Sequence, residues 1–146
     1  MLDGVLQTPV WPDGFALRTF APPDAPDVHA LLTRVFDDGA DGPFEQWWPR
    51  ISGDAEFEPK LFFLVHDASG RLAAVALCWT SAFLRDLAVA PEARGLGLAE
   101  ALMWHVFGVF QKRGAAHVDL KTDTVENADA LRLYLRLGMA EVDWDG

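Results

Sequence analysis

Apolar residues recur along this chain at two periods, and the switches between them mark its elements. From Asp24 to Phe36, the residues Ala25, Val28, Leu31, Leu32, Val35 and Phe36 fall at spacings of three and four, which predicts a helix with one buried stripe. Asp24 stands where an N-cap belongs, and Pro26 is tolerated in a first turn. Before it, the run Phe15–Phe20 ends at Ala21-Pro22-Pro23-Asp24, which predicts a first strand stopped by prolines. Asp37–Pro43 has loop chemistry, Phe44–Ile51 with Trp47 and Trp48 predicts a short second helix, and Gly53–Lys60 reads as connector. The apolar runs Leu61–Val65 and Leu72–Trp79, joined by His66–Arg71 with Gly70 available for positive φ, predict a hairpin. A third run, Ser81–Ala90, stops at Pro91-Glu92-Ala93-Arg94-Gly95 and is followed by a helical pattern from Leu96 to Arg113, closed by Gly114. Ala116–Lys121 predicts another strand, Asn127–Leu137 another helix ended by Gly138, and Met139–Trp144 a last strand. Helices inserted around a mainly antiparallel centre predict an α/β (α+β) fold of three layers, a mixed sheet between helices.

With 146 residues the chain has the length of a single domain, residues 1–146, with one core. Charge narrows the partners. Twelve Lys and Arg against 22 Asp and Glu leave −10, a field that repels phosphate backbones and attracts cations, so nucleic acid is not an expected partner. A lone cysteine, Cys78, excludes an internal disulfide and a multi-cysteine zinc site, and the four histidines show no ligand spacing, so no metal is expected. No apolar run reaches the ~18 residues of a membrane span. The start of the chain carries Asp3, Pro9, Pro12 and Asp13 rather than a basic segment followed by an apolar one. A cytoplasmic protein with no membrane contact is the expectation.

The segment Leu87–Leu102 sets a glycine-rich turn between a strand end and a helix start. Such a turn bares backbone N–H groups. Together with the helix dipole they form an anion site, and the missing side chains at Gly95 and Gly97 let a pyrophosphate approach closely, with Arg94 as a cation at the rim. An ordinary glycine loop at a helix start is the plainer alternative. Other phosphate motifs fail here: a P-loop requires Gly-Lys followed by Ser or Thr, where this chain has Leu98-Ala99. A dinucleotide fingerprint requires a small residue where Glu100 stands, and a parallel unit where antiparallel strands precede.

Arg94-Gly-Leu-Gly97-Leu-Ala99, after Leu87-Ala-Val89 and the Pro91-Glu92 turn, resembles the Arg/Gln-x-x-Gly-x-Gly/Ala motif of the GNAT superfamily of N-acetyltransferases. Downstream, the segment from Asn127 through Ala130 and Tyr134 to Gly138-Met139 is similar to that superfamily's Asn-x-x-Ala-x-x-x-Tyr-x-x-x-Gly-Phe, with Met139 in place of Phe. Two motifs in the expected order are far more specific than either alone.

The resemblance implies an acetyl-CoA co-substrate, no metal, and acetyl transfer to a primary amine of a small molecule or a peptide by direct attack. It implies that the strand ending near Val89 splays from a parallel strand near Val118–Lys121, with the pantetheine arm between them bonded to the backbone of Leu87 and Val89. The pyrophosphate would lie over Arg94, Gly95, Leu96, Gly97 and Ala99, Asn127 would hold the arm from the other side, and the Tyr134 hydroxyl would face the sulfur. A phenol of pKa about 10 can protonate the departing thiolate; a core tyrosine is the bland alternative. For a general base, Asp86 is the first candidate, against a salt-bridged Asp beside Arg85; Asp123 and Glu126 are weaker. A non-catalytic acyl-CoA sensor or assembly subunit is the alternative function.

Cys78 reads as a buried small hydrophobe, and His66 and His105 as solvent or core residues. Trp47 and Trp48, with Phe44, are either a wall of the acceptor site or core. In the Leu96–Arg113 helix, apolar residues surround most of the circumference; Trp104 and Phe107 are then covered by other elements or form a subunit contact, as in a homodimer. The chain ends at Gly146, soon after Gly138, where the family usually continues through a further strand, so the C-terminal strand is expected to be truncated here, being absent, supplied by a partner subunit, or outside this sequence.

Overall fold

In the computed structural model of the chain, residues 6, 8–36 and 41–120 are described. The run before the first prolines forms β1 (Ala16–Thr19), and the amphipathic segment after them forms α1 (Ala25–Val35), whose Ala25, Val28, Leu31, Leu32 and Val35 are all buried. Asp24 departs from the expected side-chain cap. A 3-10 turn, Pro22–Asp24, precedes α1, and the Asp24 carboxylate points backward to accept the Ala21 N–H at 2.8 Å and Arg18 Nη1 at 2.7 Å.

After α2 (Phe44–Ser52), the chain lays down β2 (Phe62–His66), β3 (Leu72–Trp79) and β4 (Phe83–Val89) as antiparallel neighbours. These three apolar runs are the centre of the molecule. In the β2–β3 hairpin, Gly70 takes φ 85°, and Asp67 Oδ1 accepts from the N–H groups of Ser69 and Arg71. The crossover helix α3 (Leu98–Lys112) then returns the chain to β5 (Asp119–Leu120), which lies parallel to β4. Among the described residues the sheet order is β1-β2-β3-β4-β5, mixed as expected. The predicted helix Asn127–Leu137 and strand Met139–Trp144 lie outside the described residues.

Strand alternation sorts the side chains into two layers. Phe63, opposite Ala76, meets His105 of α3 edge-on at 4.7 Å, so that face is covered by α3. Phe62, opposite Leu77, points the other way and packs on Phe57 at 5.2 Å, which in turn meets Trp48 of α2. Trp47 is fully buried and is core; Trp48, partly buried, joins the same aromatic cluster through Phe20 at 5.6 Å.

Phe107 is buried, not exposed on α3, and Trp104 packs edge-on against it at 5.7 Å. From the segment before β1, Trp11 meets His105 of the same helix with ring centroids 6.5 Å apart. Of the two alternatives for this pair, cover by other elements therefore holds for Phe107. Among the described residues no helix is long and apolar enough to cross a membrane.

Candidate acetyl-CoA site

β4 ends in a proline-led 3-10 turn, Pro91–Ala93, and the helix behind it starts only at Leu98, two residues later than the sequence predicts. The difference lies in two glycines. Gly95 and Gly97 have φ of 80° and 85°, a left-handed conformation that costs a residue with a Cβ about 1–2 kcal/mol, so Leu96 and Gly97 belong to the turn and not to the helix. A Cβ at either position would meet nothing within 4 Å, so the turn opens outward rather than packing on the protein.

Helix α3 has no side-chain cap, and its first internal bond is Ala101 N–H to Gly97 O at 3.0 Å. Among the described residues, the N–H groups of Gly95, Leu96, Gly97, Leu98 and Ala99 have no acceptor. Unpaired donors at a helix N-terminus next to open space are the chemistry that a diphosphate satisfies, so the residues present fit the phosphates of acetyl-CoA. Arg94 is exposed beside them and donates from Nε to the Val89 carbonyl at 3.3 Å. Glu92, in the same turn, pairs with Arg34 of α1 (Nη1 to Oε1, 3.1 Å).

The free edge of β4 follows from one hydrogen bond. Ala90 N–H donates to Ala73 O at 2.8 Å, toward β3. By alternation, the N–H and C=O groups of Leu87 and Val89 face the opposite edge, the one toward β5. There, β5 pairs only Phe83 with Asp119 and Leu84 with Leu120, so among the described residues Leu87 and Val89 have no strand partner on that side. An extended arm carrying amides can dock on such an edge.

Asp86, the residue before Leu87, is buried on the face that carries Leu77 and Phe62. Its carboxylate oxygen Oδ2 accepts from Arg85 Nη1. Arg85 reaches in addition Asp41 Oδ1 at 3.0 Å, and Arg50 Nη2 donates to the Asp41 backbone carbonyl at 3.0 Å. Burial would lower the Arg85 pKa, but the Asp86 charge and the Asp41 hydrogen bond outweigh it and hold the guanidinium above its ordinary value. The pairing with Arg85 is the alternative that the sequence offers for Asp86, whereas Asp41 was not singled out by the sequence. Burial, with the Asp86 charge adding to it, pushes the Cys78 thiol far up, which removes Cys78 as a nucleophile.

Of the expected site residues, Asp86, Leu87, Val89, Arg94, Gly95, Leu96, Gly97 and Ala99 are thus gathered at the end of β4 and the start of α3. Asn127 and Tyr134, with Asp123 and Glu126, lie outside the described residues. Among the described residues no group of three His, Cys, Asp or Glu side chains is placed to hold a metal ion.

An open strand edge just before a glycine-bared helix start is an arrangement that suits an extended co-substrate carrying a diphosphate. The acetyltransferase (GNAT) family model matches residues 25–139, and the chain belongs to this family, whose members transfer acetyl groups from acetyl-CoA. Over 141 residues it is 35% identical to streptothricin acetyltransferase of Streptomyces lavendulae, a match covering 93% of this chain and 68% of that protein. It is 34% identical over 146 residues to mycothiol acetyltransferase of Clavibacter michiganensis subsp. michiganensis, covering 92% of this chain and 45% of that one. Among solved structures, the GCN5-related N-acetyltransferase from Sphaerobacter thermophilus superposes with a TM-score of 0.78 at 30% identity, over 95% of this chain and 45% of that one. The chain thus spans about two thirds of the first relative and less than half of the other two.

Proposed function

We propose that the chain transfers the acetyl group of acetyl-CoA to a primary amine of a small cationic molecule. The observation that carries this reading is the open turn from Gly95 to Ala99, whose N–H groups are unpaired among the described residues. In this reading those groups and Arg94 hold the pyrophosphate, the outer edge of Leu87 and Val89 holds the pantetheine amides, and Asn127 steadies the arm. Acetyl-CoA supplies the activated acetyl group. Asp86 takes one proton from the acceptor ammonium; the free amine then forms a bond to the acetyl carbon as the carbon–sulfur bond breaks, the Tyr134 hydroxyl gives its proton to the leaving thiolate, and the second proton shed by the nitrogen restores the phenol.

The small-molecule acceptor is supported by a relative named for streptothricin and another for mycothiol, and the cationic one by the net charge of −10. The test is titration with acetyl-CoA, then thiol release across a panel of amines. Release with small cationic amines, reduced about ten- to a thousandfold in kcat by Tyr134→Phe with acetyl-CoA affinity kept, is the expected outcome. Binding without release from any amine would instead make this chain an acyl-CoA sensor or assembly subunit.

A further inference from the structure

Consecutive residues of a strand point to opposite faces, so Arg85 and Asp86 should not meet. They meet because β4 carries an extra residue: Asp86 lies opposite Leu77 and Leu84 opposite Cys78, which leaves Arg85 with no counterpart on β3. Released from the alternation, the guanidinium binds Asp86 with one nitrogen and Asp41 Oδ1, 3.0 Å away, with the other. Asp41 stands just before α2, so one side chain spans the sheet and the helical layer that covers it. The side chains involved are 21% (Arg85), 16% (Asp41) and 12% (Asp86) exposed, so solvent screens this chain of charges far less than a surface pair. A planar fork with donors on both sides can hold two carboxylates at once; an ammonium on a flexible stem fixes neither so firmly.

We propose that Arg85 is a positioning residue for acetyl transfer, holding the Asp86 carboxylate in place beside the outer edge of β4 and anchoring it through Asp41 to the segment that leads into α2. The inference rests on the reading of Asp86 as the group that takes the acceptor's proton. In this role Arg85 acts through its bonds to Asp86 and Asp41 and not on the acceptor or acetyl-CoA directly. Its effect therefore passes through Asp86 and disappears when that carboxylate is gone.

The test is a double-mutant cycle on kcat with Arg85→Gln and Asp86→Asn, supported by Arg85→Lys and Asp41→Asn, which leave β4 its charge or its sequence. Thermal melts establish that each variant is folded at the assay temperature. Arg85→Gln should lower kcat about tenfold or more with acetyl-CoA affinity within about twofold of wild type, Asp41→Asn should lower it less, and Arg85→Lys should restore part of the loss. In the Asp86→Asn background, Arg85→Gln should cost nothing further. An equal loss from Arg85→Gln in both backgrounds would make Arg85 a structural residue and overturn the inference while leaving Asp86 in its role. Wild-type kcat in Asp86→Asn alone would overturn the role of Asp86, and the inference with it.

Discussion

Two helices of this chain begin behind proline-led 3-10 turns, and their N-termini satisfy the backbone donors in opposite ways. Before α1, the N–H of Ala21 goes to the Asp24 carboxylate, that of Asp24 to the Ala21 carbonyl at 2.8 Å, and Pro26 has none to satisfy. Arg18 then caps the carboxylate from the strand below. Before α3, glycines replace the acid, the cap is a left-handed residue with no side chain, and five consecutive N–H groups have no acceptor among the described residues. The start of α1 is closed by the 3-10 turn in front of it, where backbone carbonyls take the N–H groups of Asp24 and Ala25 and the Asp24 carboxylate takes that of Ala21, and it is structural. The start of α3 leaves its backbone donors without an acceptor among the described residues, which is stable only where water or a ligand supplies one.

The comparison breaks most sharply at Gly97. Gly97→Glu puts a carboxylate and a Cβ where the open turn receives phosphate, and acetyl-CoA affinity, measured by calorimetry, should fall by about a hundredfold or more, about 2.7 kcal/mol. Asp24→Ala should do the reverse: stability falls by about 1–2 kcal/mol on loss of the Ala21 and Arg18 bonds, read by urea unfolding, and acetyl-CoA affinity stays at the wild-type value. Acid should reproduce that loss. The hydrogen bond from Arg18 holds the Asp24 carboxyl below its usual range, so its contribution is complete above pH about 4, the unfolded value, and is lost as pH falls through the lower folded one. The gap in stability between wild type and Asp24→Ala should therefore narrow below pH about 4.

Gly97→Ala and Gly70→Ala sharpen the contrast further. Both glycines have φ of 85° with nothing near a Cβ, so each substitution should cost about 1 kcal/mol of stability in urea unfolding. Only the change at Gly97 should weaken acetyl-CoA as well. The smallest effect belongs to Arg94→Ala, an exposed cation at the rim: a rise of about two- to fivefold in the KM for acetyl-CoA, fading at high salt.

Much of this was legible because it is local. The stripe Ala25, Val28, Leu31, Leu32, Val35 is buried as its period requires, Asp67 and Gly70 make the turn that their residue types favour, and the glycines after β4 sit at positive φ. What escaped the sequence is what depends on distant partners or on a broken period. The extra residue in β4 is invisible in an apolar run that reads Phe83-Leu-Arg-Asp-Leu-Ala-Val89, because a bulge leaves no mark on composition. Asp41 reaches Arg85 across 44 positions of chain. Ala82, at φ 64° and buried beside the start of β5, adopts the left-handed region without the glycine that would announce it. At Trp47 the same aromatic residue suits a ligand wall or a core, and only the packing of His29, Phe44 and Trp48 around it decides for core.

The central claim is that the turn from Gly95 to Ala99 holds the diphosphate of the co-substrate. Calorimetric titration of the same protein with acetyl-CoA and with S-acetylpantetheine, which keeps the acetyl arm and lacks the diphosphate, tests it most directly. The account predicts that acetyl-CoA binds at least about a hundredfold more tightly and that Gly97→Glu reduces this advantage to a few-fold or less. Equal affinities for the two compounds in the wild-type protein, or an advantage that survives Gly97→Glu intact, would contradict it.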